Sequence, residues 1–346
     1  MPIVEYTPQH FEALRKFAQR TGEMLGLTHR PFVDYYYATQ EWCRLYLFVA
    51  NDGNVLATYG VDRMRFDYNG REMIIGFGCN YYSIQPGTGG ILFVHWHNLC
   101  PVGLVYGGST DTHKMIAARK WTNYKGVRIH VLNKPYEPYA GEGMLRAAAK
   151  SVARRFTRSK LSHYSSHVSP EAHKKVSVRE EQTYTDDLLP RESPFVFRFA
   201  PTTEYLNWRY KTSLSFVRYR LFRILEGGRT TGYVVINESP ERLIVAQCDG
   251  TNAWTLAHGV LLSILQVGQN DQEPRTVMVS LCHPAMREIF QKFGFHAERE
   301  DRAFCIGTLR GPVDIAEDTS KWLINYDWGD NGLRPPFLDQ APTETP

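Results

Sequence analysis

FVANDGNVLATYGV (Phe48–Val61) and FRILEGGRTTGYVVI (Phe222–Ile236) read as one unit written twice. Each is a β-rich run, a tight turn (Asp52-Gly53, Gly227-Gly228) and a second β-rich run, the pattern of a hairpin. An aromatic cluster precedes each at similar distance, Tyr35-Tyr36-Tyr37 in one case and Tyr205–Tyr210 in the other. A helical stretch closing on an aromatic follows each, Thr110–Trp121 and Pro284–Phe295. A repeat this long exceeds any solenoid period, so it predicts a duplicated domain.

Working outward, the helix expected first covers Thr7–Leu25, with Phe11, Leu14, Phe17 and Leu25 near helical spacing. Strands are expected over Leu45–Ala50, Asn54–Asp62, Met64–Tyr68 and Glu72–Ser83. Gly87–Gly90 (GTGG) then breaks into a short helix at Ile91–Asn98. Gly103–Tyr106 is a strand, Thr110 opens a helix, and Val127–Leu132 closes the first half. The second half repeats the scheme through Arg218–Leu225, Thr231–Ile236, Arg242–Cys248, a helix at Asn252–Gln266, Thr276–Leu281 and a helix at Pro284–Phe293. Between them, Gly143–Lys160 is an amphipathic helix: Leu145, Ala149, Val152 and Phe156 fall on one stripe, with Arg146, Lys150, Arg154, Arg155 and Arg158 around the rest. Ser162–Thr185 is polar, His-rich and expected as loop. The division is therefore residues 1–134, a basic helical connector at 135–204, residues 205–334 and a mobile polar tail at 335–346.

The 346 residues bury enough surface to fold without disulfide or metal. The six cysteines are scattered, with no CxxC pair, and are expected as reduced core thiols. His95-Trp96-His97 has no acidic or cysteine partner at zinc spacing, so no metal is expected. No apolar run reaches the roughly 20 residues that span a bilayer. With no leader pattern at Met1, the expectation is a cytoplasmic protein. The net charge of +4 is uneven, because Glu142–Arg179 holds nine Lys/Arg against two Glu. That basic helix suits an anionic membrane surface, making the protein peripheral to it, or an RNA backbone; it could equally be a connector packing its apolar stripe on the two domains.

Strand, Gly break, helix, strand, helix and strand, with an aromatic at the last helix end, resembles the GNAT superfamily of N-acyltransferases. Both halves show it, so the chain resembles tandem GNAT proteins such as the Fem-type peptidyltransferases and the acyltransferase-like proteins of bacterial polysaccharide synthesis. Trp208-Arg209-Tyr210, Gly294-Phe295 and WLINYDWGD (Trp322–Asp330) look similar to segments of the latter. The resemblance implies an α/β fold of two mixed-sheet units and acyl-CoA as co-substrate. It also implies an amine acceptor, such as an amino sugar or cell-envelope precursor.

In that family a Gln/Arg-x-x-Gly-x-Gly/Ala loop holds the pyrophosphate on backbone N–H groups at a helix N-terminus. Here Gln85, Gly87, Thr88, Gly89 and Gly90 stand at that place, with Thr88 where the middle Gly belongs. The alternative reading is a plain tight turn. The corresponding segment of the second half, Asp249-Gly250-Thr251-Asn252-Ala253, puts a carboxylate where a phosphate would sit. The family's Asn and catalytic Tyr fall on Ser109 and Ile116 in the first half, and on His283 and Phe290 in the second, so neither half keeps the phenol.

Acyl transfer needs a neutral amine, which costs about 4 kcal/mol at pH 7 for an alkyl ammonium. It also needs an oxyanion donor and a proton for the leaving thiolate. Backbone N–H groups around Tyr82–Ile84 are the expected oxyanion donors. Asp111 and Asp249 are candidate bases, or a helix cap and a turn residue; Tyr106 is a candidate proton donor, or a packed aromatic. An aminoacyl-tRNA-dependent transferase and a catalytically inactive binding protein are the rival readings.

Overall fold

The structure, a computed structural model, describes residues 2–22, 25–136, 143–298, 302–328 and 337–339. Its strands are β1 (Ile3–Glu5), β2 (Cys43–Val49), β3 (Val55–Tyr68), β4 (Arg71–Ser83), β5 (Gly103–Tyr106), β6 (Thr122–Tyr124), β7 (Arg128–Leu132) and β8 (Val176–Glu181). They continue with β9 (Phe197–Phe199), β10 (Arg218–Glu226), β11 (Arg229–Glu238), β12 (Arg242–Gly250), β13 (Thr276–Leu281), β14 (His296–Ala297), β15 (Phe304–Gly307) and β16 (Trp322–Leu323). The helices are α1 (Phe11–Thr21), α2 (Arg30–Ala38), α3 (Thr88–Leu99), α4 (Thr110–Ala118), α5 (Met144–Thr157), α6 (Pro170–Lys175), α7 (Thr203–Arg209), α8 (Ala253–Gly268) and α9 (Pro284–Phe293).

Two mixed sheets form, and they share one strand order. The first runs β1-β2-β3-β4-β5-β15-β6 and the second β8-β10-β11-β12-β13-β7-β14. In each, the sixth position is filled by a strand from the other half of the chain. β15 pairs antiparallel with both β5 and β6, and β7 pairs antiparallel with both β13 and β14. The segment Val127–Leu132, expected to close the first half, closes the second sheet instead. Divisions at 134/135 and 204/205 therefore cut through sheets. The residues between them are more than a connector: β8 is the first strand of the second sheet, and β9 extends the first sheet along β3 and carries β16.

Other expectations shift locally. Gly22, at φ +68°, stops α1 at Thr21, short of Leu25. Val55–Tyr68 is one long strand rather than two. Ser162–Thr185 is mostly ordered into a 3₁₀ turn, α6 and β8; the alternation of Val176 and Val178 with Ser177 and Arg179 suits an edge strand. Of the expected tail, Phe337 is buried and stacks on His29 with ring centroids 4.6 Å apart, and Asp339 lies 3.0 Å from His29 Nε2. Residues 340–346 lie outside the described residues.

The two repeated aromatic clusters become α2 and α7, and they meet. Tyr35 and Tyr36 donate their hydroxyls to the carbonyls of Trp208 (2.8 Å) and Arg209 (2.9 Å). One apolar core therefore runs through both halves, from Phe17 and Leu47 to Tyr219 and Trp328. Polar groups are buried in it. Asp62 on β3 accepts from Tyr205 at 2.8 Å through Oδ2, while its Oδ1 has no partner. Burial pushes its carboxyl up to about 6, against the opposing effect of Arg209. All six cysteines are free and buried.

Candidate functional site

A cleft opens in the first sheet between β4 and β5. The parallel ladder joins only Gly76 with Gly103 and Phe77 with Leu104, then stops. The cause lies on β4. Against β3, Gly60 pairs with Cys79 but Thr58 pairs with Tyr82, so Asn80 and Tyr81 together stand opposite Tyr59. This is a bulge, and Asn80 takes φ +45° to make it. Beyond the bulge β4 bends from β5, which itself ends at Gly107 and Gly108, both at positive φ.

The gap is a cavity of about 640 Å³, within the range of small-molecule sites. Tyr81, Tyr106, Ser109, His113, Met115 and Arg302 are among the side chains lining it. The bulge therefore brings Asn80 and Tyr81 to the cleft beside Tyr82, the first of the expected Tyr82–Ile84 donors.

At the end of β4 the chain turns through Gln85–Gly87 into α3. Gly87 is the N-cap at φ +87° and offers no side chain to satisfy the helix's first amides. Among the described residues no hydrogen bond engages the N–H groups of Gly89 and Gly90. Thr88 does not obstruct them: its hydroxyl turns inward to Ser83 Oγ (2.5 Å) and the Gln85 carbonyl (2.8 Å), fastening the turn. A Cβ on Gly89 would stand 2.5 Å from the Tyr81 hydroxyl, whereas one on Gly90 would meet nothing within 4 Å. The loop is thus open to an anion on the Gly90 side and abuts the cleft through Tyr81.

The other nominated residues separate. Ser109 lines the cleft, but its Oγ caps α4, accepting from the Thr112 amide at 3.3 Å. Asp111, expected as base or cap, is neither. Its side chain is 90% exposed and pairs with Lys114 at 3.0 Å. Tyr106 is buried with its hydroxyl 3.0 Å from Ser280 Oγ on β13, so the phenol bridges the two sheets. Asp249 is buried elsewhere, ion-paired with Arg198 and accepting from the Gly250 amide at 2.8 Å. It borders a different cavity, of about 350 Å³, with Asp67, Arg191 and Tyr233. Tyr106, Asp111 and Asp249 do not form one site. His95 packs on Tyr46 while His97 packs against Phe93 and Trp121, with Nδ1 towards the Pro101 carbonyl.

Sequence reasoning missed three cleft residues. The Tyr81 hydroxyl lies 3.8 Å from Met115 Sδ on α4, one residue from Ile116. Burial, with Asp111 adding to it, pushes this phenol up to about 12, so it stays protonated. His113 Nε2 lies 2.8 Å from the Gly107 carbonyl. A carbonyl only accepts, so Nε2 carries the hydrogen and Nδ1 is the ring's acceptor atom. Arg302, from the segment leading into β15, sets its guanidinium over the rings of Tyr106 and Tyr326. It is the one Lys or Arg lining the cleft among the described residues, and no Asp or Glu lines it.

The second half has the same divergence but fills it. β12 and β13 pair only from Arg242–Ile244 with Thr276–Met278. The chain's own segment Trp322–Trp328 lies along the rest. Asn325 bonds both the N–H and the carbonyl of Cys248 (3.1 and 3.2 Å), and Asp327 N–H reaches the Ala246 carbonyl at 3.4 Å. At α8, Asn252 caps the first amides itself, accepting from Trp254 and Thr255. Of the two divergences, among the described residues the one in the first half stays open.

The fold matches solved structures. The chain is similar to a probable N-acyltransferase from Enterococcus faecalis (7% identity, TM-score 0.54, covering 89% of this chain and 72% of that one). It is similar to a GCN5-related N-acetyltransferase from Anabaena variabilis at 8% identity and TM-score 0.54, with the same coverage. A tandem GNAT protein from the clavulanic acid biosynthesis pathway matches at 11% identity and TM-score 0.52, over 90% of this chain and 99% of that one. The fold is therefore the tandem GNAT arrangement. No protein-family profile matches the chain, and no curated protein matches it.

Proposed function

We propose that this chain is an acyl-CoA-dependent N-acyltransferase with a single donor site, in the cleft between β4 and β5. The observation that carries it is the pairing of a helix N-terminus with no side-chain cap, at Gly87–Gly90, with an adjoining cavity, while the equivalent place in the second half is capped and filled. The unengaged amides of Gly89 and Gly90 suit a pyrophosphate, and the cleft beyond Tyr81 suits a pantetheine arm.

Bound there, acyl-CoA supplies an activated acyl group. Tyr81 holds a proton at its hydroxyl for the sulfur that leaves. His113 Nδ1 is the acceptor for the proton the amine must lose, and the amides at the β4 bulge face the acyl oxygen. Among the described residues Arg302 is the cation on the cleft lining, which suits an amine that also carries an anionic group. A phosphorylated amino sugar or other cell-envelope precursor meets that description.

The test combines calorimetric titration with acetyl-CoA and a free-thiol assay over a panel of amines. One equivalent of acetyl-CoA should bind per chain, and anionic amines should release thiol fastest. Absence of both binding and release overturns the proposal; binding without release on any amine leaves a binding protein in its place.

A further inference from the structure

We infer that α5 is a docking element for an anionic lipid bilayer. Of the apolar stripe, Leu145 and Val152 are 90% and 56% exposed, and Met144 in the helix's first turn is 88% exposed. A helix serving as a packed connector would bury that stripe. Nothing else in the function assigned to the cleft calls on it.

The charge beside the stripe says what covers it. From residue 143 to residue 170 there are six Lys/Arg and no Asp or Glu. On the helical wheel Arg146, Lys150 and Arg154 form an arc next to the apolar one. Adjacent apolar and cationic arcs on one exposed helix match the boundary of an anionic membrane, where acyl chains meet negative headgroups. A water-exposed helix without that role has no reason to combine them. Arg158 does not belong to this face, because its guanidinium is fixed to the Pro274 carbonyl at 2.6 Å. It anchors the end of the helix to the body of the protein.

Sedimentation of the full chain with vesicles of 30% phosphatidylserine and 70% phosphatidylcholine, in 0.1 M salt, tests the inference. The protein should partition onto these vesicles and not onto pure phosphatidylcholine. Arg146→Gln with Lys150→Gln should weaken partition roughly 25-fold, about fivefold for each charge. Leu145→Glu with Val152→Glu should weaken it at least tenfold. Leu145, Arg146 and Val152 are exposed, and Lys150 lies over the Tyr136 ring at 5.5 Å, so melting temperature should change by no more than the loss of that contact and the stabilisation by acyl-CoA should stay unchanged.

No partition of the wild type overturns the inference, as does partition indifferent to Leu145→Glu with Val152→Glu. tRNA binding that fails in the Gln variant but survives in the Glu variant overturns it in favour of a nucleic acid. A fall in native mass for the Glu variant overturns it in favour of a second copy of this chain.

Discussion

Gly90→Glu separates the anion-site reading from the plain-turn reading. Gly90 is the third residue of α3, exposed, and a Cβ there meets nothing within 4 Å. Glu at this place removes a helical glycine, worth up to about 1 kcal/mol. Its charge near a helix N-terminus adds roughly 0.3–1 kcal/mol. The unliganded protein should therefore melt slightly higher. At about 2.1 cal/mol/K per residue, the 346 residues unfold with roughly 0.7 kcal/mol/K, so this gain is about 1–3 °C. Ligand at a hundred times its dissociation constant stabilises by about 2.7 kcal/mol, a shift of about 4 °C for the wild type. In the variant the carboxylate occupies the space of the phosphates, and that shift should vanish. Differential scanning fluorimetry with and without acetyl-CoA reads both numbers. A variant that is stabilised and still shifts by 4 °C refutes the loop assignment. Gly89 is the poorer target, since its Cβ would also displace Tyr81.

Tyr81→Phe should lower kcat by roughly 10²–10⁴-fold while keeping the acetyl-CoA melting shift; a kcat within threefold of wild type removes Tyr81 as proton donor. Asp111→Asn should leave kcat within a few-fold and melting temperature unchanged, because the side chain is exposed, pairs with Lys114 and does not line the cleft; a large fall in kcat would restore it as a base. Asn325→Ala strands the buried N–H and carbonyl of Cys248, so it should cost roughly 2–5 kcal/mol by urea unfolding, and a neutral result would show that the second divergence is not held by this bond. Asp62, raised from 3.8 to about 6, contributes stability fully present below about pH 4 and lost as pH rises through 6. Asp62→Asn should therefore be worth up to about 3 kcal/mol at pH 8 and nothing at pH 4; an equal effect at both pH values contradicts the burial argument.

Much of the fold was legible because it is local. Hairpins announced themselves through Asp52-Gly53 and Gly227-Gly228, and the small-residue bend through Gly87–Gly90. Strand exchange was not, since Arg128–Leu132 has the same apolar pattern whichever sheet it joins. Strand β8 was hidden because its alternating charges, Arg179, Glu180 and Glu181, read as loop until β10 supplies partners such as Arg223, 2.7 Å from Glu181. At the site, the bend into α3 at Gly87 was readable and Tyr81 was not. The bulge that turns Tyr81 into the cleft rests on Asn80 at positive φ, and an asparagine in a strand gives no warning of it. Asp249 looked exposed to ligand because its burial against Arg198 depends on a strand 51 residues away.

The exchanged sixth strands bind the two halves in a way that surface contact would not. Expressed alone, residues 1–204 would have a gap between β5 and β6, and 205–346 an equal gap beside β13. Two open slots of backbone donors and acceptors would be left to find each other or a stranger. Splitting the gene at its apparent midpoint should thus yield fragments that are soluble only when produced together, and a nick at that midpoint should leave the protein whole.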